Sequence, residues 1–170
     1  MSANSDDTII VRPATRDDVP LVLEFIRELA RYEHLEHEVS ASATELREAL
    51  FGERRYAEVV FACSGGEPLG FALFFHNFST FQGRPGIYLE DLFVRPQARG
   101  RGIGKRLLVH LARTAVERRC ARLEWAVLDW NEPSIGFYRS LGAVPMDEWT
   151  TFRLTGEALA LLADSARAQG

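Results

Sequence analysis

From Gly86 to Ala115 a strand pattern runs without a break into a basic glycine loop and then into a helix pattern, and no other part of the chain restricts the fold as much. GIYLEDLFV reads as a strand ending at Val94, and Ile103, Leu107, Leu111 and Ala115 mark one face of the helix that follows. Between them Arg99, Arg101, Lys105 and Arg106 interleave with Gly100, Gly102 and Gly104. A strand that leads directly into a helix implies a crossover to a neighbouring strand. The helix start offers unpaired N–H groups and partial positive charge, and glycines let several N–H groups converge on one anion. Arginine and lysine at the rim add charge-assisted hydrogen bonds. The segment therefore points to a phosphate-bearing ligand such as a pyrophosphate, or else to a plain glycine turn with a solvated basic rim. A Walker loop is excluded, because it needs glycine at Arg99 and Ser or Thr at Arg106; the G-x-G-x-G spacing likewise fails the Rossmann G-x-G-x-x-G pattern.

The basic loop stands out because the 170-residue chain has a formal net charge of −4, which argues against a general nucleic-acid binder. Lys105 is the single lysine beside 19 arginines. No apolar run reaches the roughly 20 residues of a membrane span, and MSANSDDTII lacks the build of a signal peptide. Cys63 and Cys120 suit a reduced, cytoplasmic protein better than a disulfide framework. Without repeats or long linkers, residues 8–165 read as one domain behind a flexible segment, 1–7.

The remaining elements follow from periodicity and punctuation. Ile9–Val11 is a short strand, and Thr15-Arg-Asp-Asp18 offers an N-cap hydroxyl and first-turn acids for the helix marked by Val19, Val22, Ile26 and Leu29. A second helix is expected over Ala43–Leu50, strands over Ala57–Cys63 and Leu69–Phe75, and another strand over Arg122–Leu128. Asn131-Glu-Pro133 opens a helix to Leu141, with Gly142 at C′. Thr150–Leu154 is expected to close the sheet, before a last helix over Gly156–Ala163. The fold class is α/β, a mixed sheet flanked by helices.

Three segments in order then carry a family resemblance. Arg99-Gly-Arg-Gly102-Ile-Gly104 resembles the R-x-x-G-x-G/A acyl-CoA motif of the GCN5-related N-acetyltransferases. YLEDLFV (Tyr88–Val94) and WNEPSIGFY (Trp130–Tyr138), with VRPATRDD and LARYE, are similar to the diamine and thialysine acetyltransferase branch. The resemblance runs from about Ile10 to Leu154. It implies a mixed, mostly antiparallel sheet and direct transfer of an acetyl group from acetyl-CoA to a primary amine, without a metal. Arg99, Gly100, Arg101, Gly102, Ile103, Gly104 and Lys105 would hold the pyrophosphate, and Leu92, Phe93 and Val94 would pair with the pantetheine arm. Asn131 and Ser134 would complete the acetyl-CoA site. A backbone N–H at the strand would serve the thioester oxyanion.

The resemblance makes Tyr138 the general acid for the departing sulfur; the residues alone would equally allow a core tyrosine packed with Ile135 and Leu141. It makes Glu90 the base that takes a proton from the acceptor ammonium through water. Strand alternation places Glu90 and Asp91 on opposite faces and leaves open which of them faces the amine. Tyr32, Glu33, Glu90 and Asp91 would bind the acceptor; Glu36 and Glu38 would steer a polycation or form a solvated acidic helix end. His34 and His37 lack a supporting ligand cluster, so no metal site is expected. Glu124-Trp125-Ala126 and FSTFQGRPG depart from the polyamine pattern, and Arg84 on the acceptor side would favour an amino-acid carboxylate. Partners are thus a small-molecule amine and, by resemblance, a second copy in a homodimer, with no nucleic acid or membrane. Two other readings remain: an acyl-CoA-binding regulatory domain without turnover, and acetylation of a protein N-terminus.

Overall fold

The computed structural model describes residues 8–165, so the segment 1–7, expected to be flexible, lies outside the described residues. The described chain forms two compact units, the first ending at Ala126 and the second beginning at Val127.

The first unit is a five-stranded sheet in sequence order: β1 (Ile10–Pro13), β2 (Glu58–Ser64), β3 (Glu67–Ser79), β4 (Arg84–Val94) and β5 (Leu123–Trp125). β1 to β4 pair antiparallel. β5 joins β4 in parallel after the crossover helix α3 (Ile103–Glu117), so the sheet is mixed, as the residue pattern implies, and mostly antiparallel, as the resemblance implies. The expected strand Arg122–Leu128 is realised only at Leu123–Trp125.

Helices α1 (Val19–Tyr32) and α2 (Ala43–Phe51) come between β1 and β2. Val22, Phe25 and Leu29 of α1 cluster with Leu50 and with Val59, Phe61, Cys63, Phe71 and Phe93 of the sheet. The rings of Phe61 and Phe71 lie 5.6 and 5.2 Å from that of Phe25, and Phe93 closes the group at 6.5 Å. Each such burial contributes about 2–3 kcal/mol, which anchors the end of β4 against α1. Gly70 precedes Phe71 and so faces the other side of the sheet, where an added Cβ would meet Ile103 Cγ2 at 3.1 Å and the Phe93 carbonyl at 3.0 Å. α3 thus packs on the face opposite α1, close enough to require glycine.

The entry into α1 differs from the expected Thr15 hydroxyl cap. Asp18 accepts hydrogen bonds from the Thr15 N–H at 2.7 Å and its hydroxyl at 2.9 Å, and a two-pronged pair from Arg12 at 2.8 and 3.0 Å. A single 3-10 turn, Arg16–Asp18, intervenes, and Pro20 occupies the first turn of α1. α2 carries the reciprocal box its sequence suggests, Ser42 with Glu45.

The second unit holds α4 (Glu132–Ser140) and α5 (Gly156–Asp164). Asn131 caps α4 by accepting from the Ser134 N–H at 3.4 Å. At its other end Gly142 is left-handed (φ 85°), the Gly142 N–H reaches the Arg139 carbonyl and the Ala143 N–H the Tyr138 carbonyl, a Schellman motif as expected at this glycine. The strand expected over Thr150–Leu154 does not form: the segment is irregular, with Phe152 exposed. A strand needs a ladder partner, and the regular elements described in this unit are both helices.

Candidate active site

The glycine loop takes the shape its residues demand. Gly100 and Gly102 are left-handed (φ 78° and 74°), with open space where a Cβ would project. Gly102 is the N-cap of α3, and the first helical bond there is Arg106 N–H to the Gly102 carbonyl at 3.0 Å. The N–H groups of Ile103, Gly104 and Lys105 thus begin the helix without an intrahelical acceptor, beside an exposed Lys105. Arg99 is directed elsewhere. Its guanidinium stacks on Tyr32 at 4.6 Å and Phe93 at 5.6 Å, and its Nε donates to the Val94 carbonyl at 3.1 Å. Arg99 therefore ties the loop to the end of α1. Beside it, Arg95 stacks on Phe25 and pairs with Glu28 and Glu24 of α1.

β5 pairs only with Ile87–Leu89, so no described strand lies against Leu92–Val94 on that side of β4. An extended chain could add there by backbone hydrogen bonds, as expected of a pantetheine arm.

A bulge falls at the acids of β4 and moves Leu89 off the face that strict alternation from Asp91 would give it. Leu73 of β3 opposes Asp91, whereas Phe74 opposes Leu89, and Glu90 is the extra residue. Opposed residues share a face, so Leu89 goes with Phe74, while Asp91 goes with Leu73 and Phe93 toward α1. Glu90 is exposed and Asp91 half-buried. Asp91 lines a cavity of about 280 Å³ with Ile26, Leu29, Ala30 and Glu33 of the α1 end and Leu35, Glu38, Val39, Ser40 and Ala41 of the connection to α2. Burial, reinforced by the charges of Glu90 and Glu33, pushes the Asp91 carboxyl up to about 7. Burial also raises Glu33.

A second local device shapes this cavity. Glu33 is the C-cap of α1, followed by His34 at φ 61°. The Leu35 N–H returns to the Ala30 carbonyl at 2.8 Å and the His34 N–H to the Arg31 carbonyl at 3.2 Å. This Schellman turn on a non-glycine residue costs about 1 kcal/mol or more, and it directs Leu35 and the following segment over the cavity.

The first unit therefore brings Glu33 and Asp91 together, with Tyr32 next in sequence and Glu38 at the lining. Glu36 is engaged by Arg31 at 3.1 Å instead. Arg84 starts β4, about 23 Å along the strand from Asp91, and does not line this cavity. Asn131, Ser134 and Tyr138 belong to the second unit, where Asn131 and Ser134 form the α4 cap and the Tyr138 ring lies 5.5 Å from Phe137. Sequence reasoning missed the apolar cavity wall, because Ile26 and Leu29 read as ordinary core positions and Val39 and Ala41 as a polar connection. Among the described residues no group of three or more His, Cys, Asp or Glu is placed to hold a metal, and no helix is long and apolar enough to cross a membrane.

Similarity to known proteins agrees with this geometry. Thialysine N-epsilon-acetyltransferase of Bos taurus is 39% identical over 166 residues, covering 91% of this chain and 97% of that protein. L-ornithine N5-acetyltransferase NATA1 of Arabidopsis thaliana is 31% identical over 194 residues, covering 88% and 85%. An integron cassette protein from the mobile metagenome of V. cholerae has the same fold, with a TM-score of 0.78 and 30% identity over 92% of this chain and 98% of that one. The sequence model of the Acetyltransferase (GNAT) family matches residues 22–143, which include the glycine loop, the β4 acids and α4: the chain belongs to that family of N-acetyltransferases.

Proposed function

We propose that this acetyltransferase moves the acetyl group of acetyl-CoA directly onto the terminal primary amine of a lysine-like or ornithine-like amino acid. The observation that carries the reading is the cavity lined by both Glu33 and Asp91 together with the apolar Ile26, Leu29 and Val39. Apolar walls suit an alkyl arm, and paired carboxylates suit the ammonium at its tip. The relatives that act on thialysine and ornithine support an aminoalkyl acceptor.

On this reading the N–H groups at the start of α3, with Arg101 and Lys105, take the pyrophosphate, and the left-handed Gly100 and Gly102 leave room for its approach. Leu92–Val94 pairs with the pantetheine arm. Arg99 positions rather than binds, since its guanidinium is held on Tyr32 and Phe93. One carboxylate of the β4 pair Glu90–Asp91 removes the ammonium proton, and the amine attacks the thioester carbonyl. Tyr138, on a helix opened by the Asn131 cap, serves as the acid for the departing sulfur, with Asn131 and Ser134 at the acetyl-CoA side. Residues 8–165 act as one domain, because the family match spans both units. We place the enzyme in the cytoplasm, in keeping with two free cysteines, Cys63 and Cys120, and working as a homodimer, as the family resemblance of its motifs implies.

Glu38 on the cavity lining favours a second acceptor, a polyamine whose further ammonium would meet that carboxylate. Free-thiol release from acetyl-CoA decides between the two, with thialysine, lysine, ornithine, spermidine and no amine compared. The reading predicts turnover with the amino acids above that with spermidine. Thiol release that no amine stimulates would contradict it.

A further inference from the structure

We infer, resting on the amino-acid acceptor reading above, that Arg122 and Glu124 at the β5 side of the sheet bind the zwitterionic end of the acceptor, Arg122 its α-carboxylate and Glu124 its α-ammonium. Both side chains share a face with Asp91. Leu73 opposes Asp91 and Phe75 opposes Tyr88, so the bulge brings Tyr88, three residues before Asp91, to the same side of the sheet. Tyr88 in turn opposes Glu124 on the next strand. The Phe75 and Tyr88 rings lie 5.3 Å apart and are half-buried, an apolar floor for an alkyl chain that runs from Asp91 toward Glu124.

The sheet holds this charged pair in a fixed orientation. Glu124 Oε2 accepts from the Asn77 amide at 2.7 Å and from Arg122 Nε at 2.8 Å. Asn77 reaches it from β3 across the intervening β4, where Gly86 stands opposite Asn77. A Cβ at Gly86 would meet Asn77 Oδ1 at 2.3 Å and Arg122 Cγ at 3.1 Å, so glycine is what clears the crossing. Both donors fall on one oxygen, which leaves Oε1 to a further donor. Arg122 keeps its terminal nitrogens, of which Nη2 makes only a 3.5 Å approach to the Phe78 carbonyl. The Arg122 and Glu124 side chains are 41% and 34% exposed, so a ligand reaches them without parting the pair. A guanidinium held beside a carboxylate is complementary to the carboxylate and ammonium of a single α-carbon.

The spacing fits the substrate class. From Leu73 to Phe75 the sheet advances about 7 Å, and β5 lies about 4.8 Å from β4, so the Asp91 and Glu124 Cα atoms are about 8 Å apart. An extended lysine-like chain places its terminal nitrogen about 6 Å from its α-carbon. With the terminal ammonium at the Glu33 and Asp91 carboxylates, the α-carbon therefore comes level with Glu124 and Arg122. Arg84, two residues before Gly86 on the same strand, stands beyond the reach of such a chain. A polyamine would offer Glu124 an ammonium but set a cation against Arg122, so the pair selects for the amino acid.

The experiment measures kcat/KM of the full chain, with acetyl-CoA, for the amino acid that thiol release identifies and for two analogues with the same arm. For lysine these are 1,5-diaminopentane, which lacks the carboxylate, and 6-aminohexanoate, which lacks the α-ammonium. The amino acid should be preferred over each analogue by about tenfold, the worth of one charge-assisted hydrogen bond. Arg122→Gln should abolish the preference over the diamine and keep that over 6-aminohexanoate, and Glu124→Gln should do the reverse. A merely structural defect would lower all three amines together and leave both ratios in place. Unchanged acetyl-CoA binding reports that each variant is folded. The inference is overturned if the unmodified protein uses the three amines alike, or if the two substitutions do not divide the two preferences between them. Should the unmodified protein bind acetyl-CoA yet acetylate no amine, or polyamines alone, the acceptor reading fails first and this inference fails with it.

Discussion

Asp18 and Asp91 are the same side chain placed in opposite surroundings within one unit, and the contrast separates what holds the fold from what prepares the site. Asp18 at the entry to α1 receives both prongs of Arg12 and two donors from Thr15, and these hold its carboxyl down to about 2. Asp91 at the β4 bulge is half-buried beside Glu33 and Glu90, and is pushed up to about 7. The first arrangement favours the charged form that a folded protein carries at neutral pH. The second disfavours it, so the fold supports a carboxylate that would be more comfortable protonated. Strain of this sign is what a proton acceptor for an ammonium requires, and it is tolerated because the aromatic cluster and the sheet fix Asp91 in place.

The largest expected effect comes from relieving that strain. An acid whose folded pKa is raised from about 3.9 to about 7 holds its proton longer in the folded state, so its contribution falls as pH rises between those values and is fully unfavourable above 7. Asp91→Asn should therefore stabilise the protein by about 2 kcal/mol at pH 8, the full linkage value of about 4 being reduced because the carboxyl still reaches water. The gain should vanish near pH 4, as thermal unfolding at the two pH values would show. Asp18 has the opposite sign: its stabilisation is present above about pH 3.9 and lost as pH falls through about 2. Arg12→Met should remove about 1–2 kcal/mol at pH 7, a partly exposed pair being discounted for screening, and leave kcat per folded molecule unchanged. Urea unfolding and activity measured on the same sample would check both halves. The smallest effect transfers a cation from one setting to the other. Val39→Lys gives Asp91 an ammonium neighbour, which should lower its pKa and raise KM for the amine about tenfold while leaving acetyl-CoA affinity alone.

The two aspartates also show how far the sequence could be read. The helix start after Thr15 and the basic glycine loop between a strand and a helix depend on residues close in the chain and were readable, although the Arg12 pairing of Asp18 was not. The order of most elements and the single crossover were legible for the same reason, since periodicity and turn residues mark each element, whereas the mostly antiparallel pairing came only with the family resemblance. The Asp91 setting was not. A bulge at Glu90 depends on how β3 and β4 register across Leu73 and Phe74, and YLEDLFV carries no mark of it. The left-handed His34 and the cavity it helps to shape depend on where the segment after α1 packs. Thr150–Leu154 has the composition of a strand, but composition cannot supply a ladder partner. Local chemistry was readable, whereas the packing of the α1 end and the following segment around Asp91 was decided by tertiary contacts.

The most direct test is a carbon-13 NMR titration of the side-chain carboxyls, with Asp91 and Asp18 assigned by their Asn variants. The account predicts that Asp91 titrates near 7 while Asp18 stays ionised until about pH 2. If both titrate together near 4, burial beside Glu33 and Glu90 does not raise the Asp91 carboxyl and the contrast between the two aspartates is contradicted.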